Sequence, residues 1–184
     1  MTEHEDSAKI KGVSRPGVRI EGQTKKRAIP VWTCSDWEDQ GPKPLFRQQV
    51  EQYVGEITGG MKPSMKLTIM GVLSSSPSSL TVSLLCSPVD PKADIALLLT
   101  INFQERSVTR NARIAEEWGQ EEKNIQYFPF TPGENFKMEI VCEHQRIRVL
   151  VDGNQLCDFN HRVQQIKTVT AMKITGDARL TKVA

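Results

Sequence analysis

Arg146-Ile147-Arg148-Val149-Leu150-Val151 runs into Asp152-Gly153 and then into Gln155-Leu156-Cys157-Asp158-Phe159. In the first stretch every second residue is apolar, the period of a strand with one face buried and the other wet. Asp-Gly tolerates the backbone of a two-residue turn, so the whole reads as a β-hairpin. Phe136-Lys137-Met138-Glu139-Ile140-Val141-Cys142 alternates in the same way, as do Lys66 to Leu73 and Leu80-Thr81-Val82-Ser83-Leu84, with a Ser/Pro turn cluster from Ser74 to Ser79. Asp94 to Phe103 is a continuous apolar strand candidate. Ala171-Met172-Lys173-Ile174, a Gly176-Asp177 turn and Arg179-Leu180-Thr181-Lys182-Val183 close the chain. Strands recur every ~8–12 residues with turn chemistry between them, the spacing of a β-sandwich or barrel. No segment holds a helical period. The fold class predicted is all-β.

Residues 1–48 have another texture. Gly, Pro, Lys, Glu and Asp are spread without period, from Lys9-Ile10-Lys11-Gly12 to Gly41-Pro42-Lys43-Pro44. Too few apolar residues are present to offset the entropy of ordering, which predicts a disordered tail over 1–48 and a folded domain over 49–184. Lys25-Lys26-Arg27 reads as a solvated charge run, with a basic address signal as the alternative. Trp32 and Trp37 flank Cys34 among acidic neighbours, a pair that would gain by docking on the domain or on a partner.

The chain has 184 residues, suited to one domain with a tail. Its 24 basic and 22 acidic residues nearly cancel, so no basic stripe makes nucleic acid the expected partner. No apolar run approaches the roughly 18 residues of a membrane helix. The acidic Met1-Thr2-Glu3-His4-Glu5-Asp6 start lacks the apolar core of a secretory signal. The expected location is therefore the cytoplasm, with the nucleus as alternative, and export would need no signal peptide. Cys34, Cys86, Cys142 and Cys157 are widely spaced, and only His4, His144 and His161 accompany them. That pattern makes no metal site and suits reduced thiols, with Cys86 and Cys142 buried at strand ends and Cys34 the reactive one. No cofactor is implied. No Gly-x-Ser-x-Gly elbow, phosphate loop or His-Glu-x-x-His helix occurs, and Glu121 and Glu122 point to opposite faces if extended. No catalytic residue is expected.

Several motifs resemble the galectin carbohydrate-recognition domain: Tyr53-Val54-Gly55-Glu56-Ile57-Thr58-Gly59-Gly60-Met61, Trp118-Gly119-Gln120-Glu121-Glu122-Lys123 and Phe128-Pro129-Phe130-Thr131-Pro132-Gly133. Val151-Asp152-Gly153, Phe159-Asn160-His161-Arg162 and Ile174-Thr175-Gly176-Asp177 follow in the family's order. The similarity covers about residue 52 to 184. It implies a jelly-roll sandwich of two antiparallel sheets, with a sugar groove on one of them. In that groove an aromatic ring stacks on galactose while polar side chains on neighbouring strands hold its hydroxyls.

By that resemblance, the family's His, Asn and Arg fall on Leu98, Thr100 and Asn102, all three replaced. The retained positions are Asn111, Trp118 and Glu121, with Lys123 in place of an arginine, which gives up a planar two-pronged donor. Trp118 is either a stacking platform or a cap on the sheet. Glu121 is expected to pair with a neighbouring cation, and His161-Arg162 to pin the strand after the hairpin. Losing three polar partners removes about 3–5 kcal/mol, roughly a factor of 10² to 10⁴ in affinity. The resemblance thus points to the galectin-related members with a degenerate groove: a non-catalytic interaction module that does not bind lactose or ordinary β-galactosides. The alternative is a lectin with altered glycan specificity through the same groove. The expected partners are then a glycan other than a simple β-galactoside, or a protein the sequence does not name.

Overall fold

The computed structural model describes residues 10–12 and 51–184. In chain order the strands are β1 (Ile10–Gly12), β2 (Glu51–Ile57), β3 (Lys66–Leu73), β4 (Ser79–Leu85), β5 (Ile95–Asn102), β6 (Ser107–Ile114), β7 (Glu117–Trp118), β8 (Asn135–Cys142), β9 (Arg146–Val151), β10 (Asn154–Asn160), β11 (Ala171–Gly176) and β12 (Ala178–Val183). A 3₁₀ turn, Ile166–Thr168, precedes β11. The strands form two antiparallel sheets, ordered β1-β2-β11-β4-β5-β6-β7 and β10-β9-β8-β3-β12. This is the all-β fold that the alternation predicted, with the two antiparallel sheets that the resemblance implied.

Alternation decides which side chains face inward. In β3 and β9 every second residue is buried, so Leu67, Ile69 and Leu73 line up with Ile147, Val149 and Val151 on the inner face of one sheet. Val82 and Leu84 with Leu97, Leu99 and Ile101 do the same on the other. Each such side chain contributes about 1.5–3 kcal/mol of transfer free energy. The predicted hairpin is present. Asp152 and Gly153 have φ of 50° and 82°, the positive pair that a tight turn between right-twisted strands demands. The Asp152 carboxylate accepts the Lys137 N–H at 2.9 Å and fastens the turn to β8.

A second corner joins the sheets. Gly176 has φ of 131°, a region closed to side chains, and an added Cβ would lie 2.3 Å from the Ser79 carbonyl oxygen. Beside it the Asp177 carboxylate accepts the Ser78 and Ser79 N–H groups at 2.7 and 3.1 Å, while Ser74 Oγ donates to the Asp177 carbonyl. The Ser/Pro cluster is thereby stapled to the β11–β12 corner.

Three residues of the predicted tail have a place in the fold: Ile10–Gly12 pair antiparallel with Gly55–Ile57 at the edge of the larger sheet. The rest of the tail expectation, including Lys25-Lys26-Arg27, Trp32, Cys34 and Trp37, lies outside the described residues. Because β1 adds so short a ladder, a chain beginning at residue 49 is expected to melt cooperatively with a midpoint close to that of the full chain. Thermal circular dichroism of the two checks this, and a loss of several kcal/mol would mean that the first 48 residues pack on the domain.

Candidate functional site

Of the residues singled out from the sequence, Leu98, Thr100, Asn102, Asn111 and Trp118 lie on strands β5 to β7 of the larger sheet, where the register places them in rows, and Glu121 and Lys123 follow just after β7. Thr175, Thr81, Thr100 and Thr109 stand opposite one another across β11, β4, β5 and β6. The neighbouring row is Lys173, Ser83, Leu98 and Asn111. Beyond it, Leu85, Ile95, Arg113 and Trp118 run to the sheet edge. On the other side lie Ser79, Asn102 and Ser107.

Leu98 therefore puts a half-buried apolar side chain between Ser83 and Asn111. Thr100 offers a short hydroxyl flanked by two more. Asn102 is committed to its own turn: its side-chain oxygen accepts the Glu105 N–H at 3.0 Å, and Arg106 completes the turn with φ of 50°. Asn with a side-chain oxygen bonded a few residues on is a turn former, and here it closes the β5–β6 connection.

Asn111 is held from three sides. Its Oδ1 accepts the Ala112 N–H at 2.8 Å and Arg162 Nη1 at 3.1 Å, while Nδ2 donates to the Gly119 carbonyl at 2.9 Å. These partners fix the amide orientation and leave one Nδ2 proton to offer. Arg162 is itself anchored, donating to Glu122 at 2.7 Å and lying over the Phe159 ring at 4.6 Å. His161, next to it, bonds through Nε2 to the Glu143 carbonyl at 2.9 Å. The pair thus pins the segment after β10, and Arg162 also orients Asn111, a role that its position in the sequence does not reveal.

Trp118 is 50% exposed, with the Arg113 guanidinium 5.9 Å from its ring centroid. Glu121 and Lys123 pair with each other at 2.9 Å. Hydrogen bonding to Glu121, reinforced by its charge, holds the Lys123 ammonium above its ordinary range. Glu122 faces the other way, toward Arg162 and the buried Arg110 (3.8 Å). The two adjacent carboxylates accordingly serve different cations and do not converge on one point.

Arg110 is a feature the alternation would not suggest: an arginine at an inward position, 3% exposed. Its Nη1 donates to the Asn124 carbonyl at 3.0 Å, tying β6 to the segment that leaves the sheet edge. The thiols of the described residues are shielded. Burial pushes Cys142 and Cys157 up to about 11, and Cys86, half-buried where a buried thiol was expected, rests 3.4 Å from Thr168 Oγ1. Among the described residues no group of three or more His, Cys, Asp or Glu is placed to hold a metal, and no helix is long and apolar enough to cross a membrane.

This face, with its hydroxyl rows, oriented amide and half-exposed tryptophan, belongs to a known architecture. The model of the galactoside-binding lectin family matches residues 52–184. The chain belongs to the galectin family. It is 33% identical to human galectin-4 over 144 residues, which is 78% of this chain and 43% of that protein. Bovine galectin-4 is 31% identical over the same length, 42% of its own. The chain thus spans less than half the length of these relatives. Among solved structures, sheep galectin-11 in complex with glycerol superposes with a TM-score of 0.60 at 22% identity, covering 73% of this chain and 95% of that one, a likeness of fold. As a galectin domain the chain is a carbohydrate-binding type of module and not an enzyme.

Proposed function

We propose that this galectin domain holds neither lactose nor ordinary β-galactosides and acts as a non-catalytic interaction module, on the pattern of the galectin-related members. The supporting observation is the row through Leu98. At the position where the resemblance calls for histidine, an apolar side chain sits between Ser83 and Asn111. A sugar hydroxyl set against it loses water without gaining a partner, at about 1–3 kcal/mol. Asn102 adds to this, because the oxygen it would turn to a ligand already caps Glu105. A second reading, altered glycan specificity, is favoured by Trp118 and Asn111, which keep an exposed ring and an oriented donor side by side.

Lactose at millimolar concentration is expected neither to raise the melting temperature nor to give binding heat. A ligand that binds only the native state must stabilise it once its concentration exceeds Kd. Differential scanning fluorimetry and titration calorimetry check this together, and a saturable shift would show that Thr100, Asn102, Asn111 and Trp118 rebuild the site.

A further inference from the structure

Among the described residues Trp118 stands on the shortest strand. β7 has two residues and two rungs, Trp118 opposite Arg113 and Glu117 opposite Ile114, before the Gly119 N–H meets the Ala112 carbonyl at 3.0 Å. The turn that leads into it is strained. Ala115 and Glu116 have φ of 50° and 67°, the two positive values of a mirror-image hairpin turn. Such a turn favours Asn-Gly. Neither residue here is glycine, asparagine or aspartate, so both side chains sit in a region that L-residues enter only at a cost. A hairpin this short and this strained does not hold its shape unaided.

The support comes from the loop 86–94, which is tied to itself before it is tied to the hairpin. Ser87 Oγ accepts the Val89 and Asp90 N–H groups, Asp90 accepts the Lys92 N–H at 2.9 Å, and the Asp94 carbonyl accepts the Cys86 N–H at 3.0 Å. Two bonds then reach across. Asp94 Oδ1 accepts the Ala115 N–H at 2.8 Å, at the first strained residue of the turn. Arg113 Nη2 donates to the Pro91 and Ala93 carbonyls at 2.5 and 2.9 Å. Arg113 is the cross-strand partner of Trp118, and its guanidinium, held from behind by the loop, lies 5.9 Å from the ring centroid. A third contact, Lys92 to Glu116 at 3.4 Å, joins two exposed side chains and adds little. Among the described residues no other aromatic ring packs on the indole.

We infer that Asp94 and Arg113 are positioning residues for Trp118, and that the loop 86–94 is the brace through which they act. The inference rests on the reading of this face as the interaction surface, but it concerns how the ring is presented and not what meets it. Asp94 fastens the turn in its strained form, and Arg113 fixes the cation beside the ring. Neither has to touch a partner. An aromatic side chain already held in place loses less freedom when a partner arrives, so the braced ring binds more tightly than a loose one. The face then has two separate supports. Arg162, from the segment after β10, orients Asn111, while the loop before β5 orients Trp118. The amide and the ring are therefore adjustable one without the other.

The test reads the ring itself. Trp32→Phe and Trp37→Phe leave Trp118 as the sole tryptophan of the full chain. Its fluorescence anisotropy and acrylamide quenching then report how freely it turns, with far-UV circular dichroism checking the fold. Asp94→Ala is expected to lower the anisotropy. It should also raise the quenching constant by up to about twofold, because half of the residue is already open and a released side chain turns between rotamers within nanoseconds. Arg113→Met should loosen the ring in the same way. Asp94→Asn keeps an oxygen that accepts the Ala115 N–H and should retain the parent values. Glu116→Gly, added to Asp94→Ala, should restore them, since glycine takes the positive φ without strain and the turn no longer needs its brace. Parent values in either folded loosening variant, or failure of both the Asn and the Gly rescue, would overturn the inference. If Asp94→Ala does not fold, Arg113→Met and Asp94→Asn decide on the same readout. No ligand enters these measurements, so lactose binding would refute the proposed function and leave the brace to be judged by itself.

Discussion

Replacing Gly176 by alanine is expected to destabilise the domain by about 3–5 kcal/mol, a large share of the roughly 5–15 kcal/mol that keeps a typical domain folded. Two costs combine. A side chain at φ of 131° imposes backbone strain of about 1–3 kcal/mol. Its Cβ would also lie 2.3 Å from the Ser79 oxygen and 2.7 Å from the Leu80 Cα, both backbone atoms of β4 that cannot step aside alone. Moving them would break the Asp177 clamp on Ser78 and Ser79, so the corner would fail as a unit. Gly153→Ala makes the control: its φ is 82°, but nothing lies within 4 Å of the added carbon, so only the strain of about 1–2 kcal/mol remains. Urea unfolding curves for the two variants compare them directly, and equal losses would show that the clash at Gly176 relaxes.

Restoring Leu98→His, Thr100→Asn and Asn102→Arg together is expected to raise lactose affinity by roughly a hundredfold or more, from undetectable to measurable. The retained half of the groove is already organised. Arg162 and Gly119 hold the Asn111 amide in one orientation, Trp118 is exposed, and Glu121 and Lys123 face each other at 2.9 Å. Single changes should do little, because one new hydrogen bond of about 1 kcal/mol does not offset hydroxyls left unpaired elsewhere in the groove. Asn102 is the position at risk, since arginine cannot accept the Glu105 N–H and the turn at 103–106 loses its cap. Calorimetry on the folded triple variant decides. Silence toward lactose would mean that the geometry of this turn, and not the identity of the side chains, closes the site.

The strands that were legible in the sequence are those with one wet and one dry face. Lys66–Leu73 and Arg146–Val151 emerge with the bounds that alternation assigns, and the others shift by a residue or two at their ends. β7 was not legible, because two residues cannot display a period and its pairing is set by the end of β6. β1 was not legible either: Ile10-Lys11-Gly12 has no flanking pattern and takes its shape from the β2 edge. On the site, sequence spacing could place Leu98, Thr100 and Asn102 on one face, since residues two apart in a strand share a side. It could not show that Asn102 serves its own turn or that Arg162, 51 residues from Asn111, orients that amide.

The outer strands of both sheets share a consequence for the protein in crowded solution. β10 and β12 border the smaller sheet, and each loses register part-way, between Gln155 and Cys157 and between Leu180 and Lys182. Arg179 and Lys182 put charge along the second of these borders. Among the described residues the larger sheet ends in strands of three and two residues, β1 and β7. A border that kinks, carries cations or stops after one or two rungs is a poor template for another chain's backbone. Strand-by-strand growth into fibrils is thereby discouraged, and a domain this rich in β-structure can be concentrated while its sheet faces stay available for recognition.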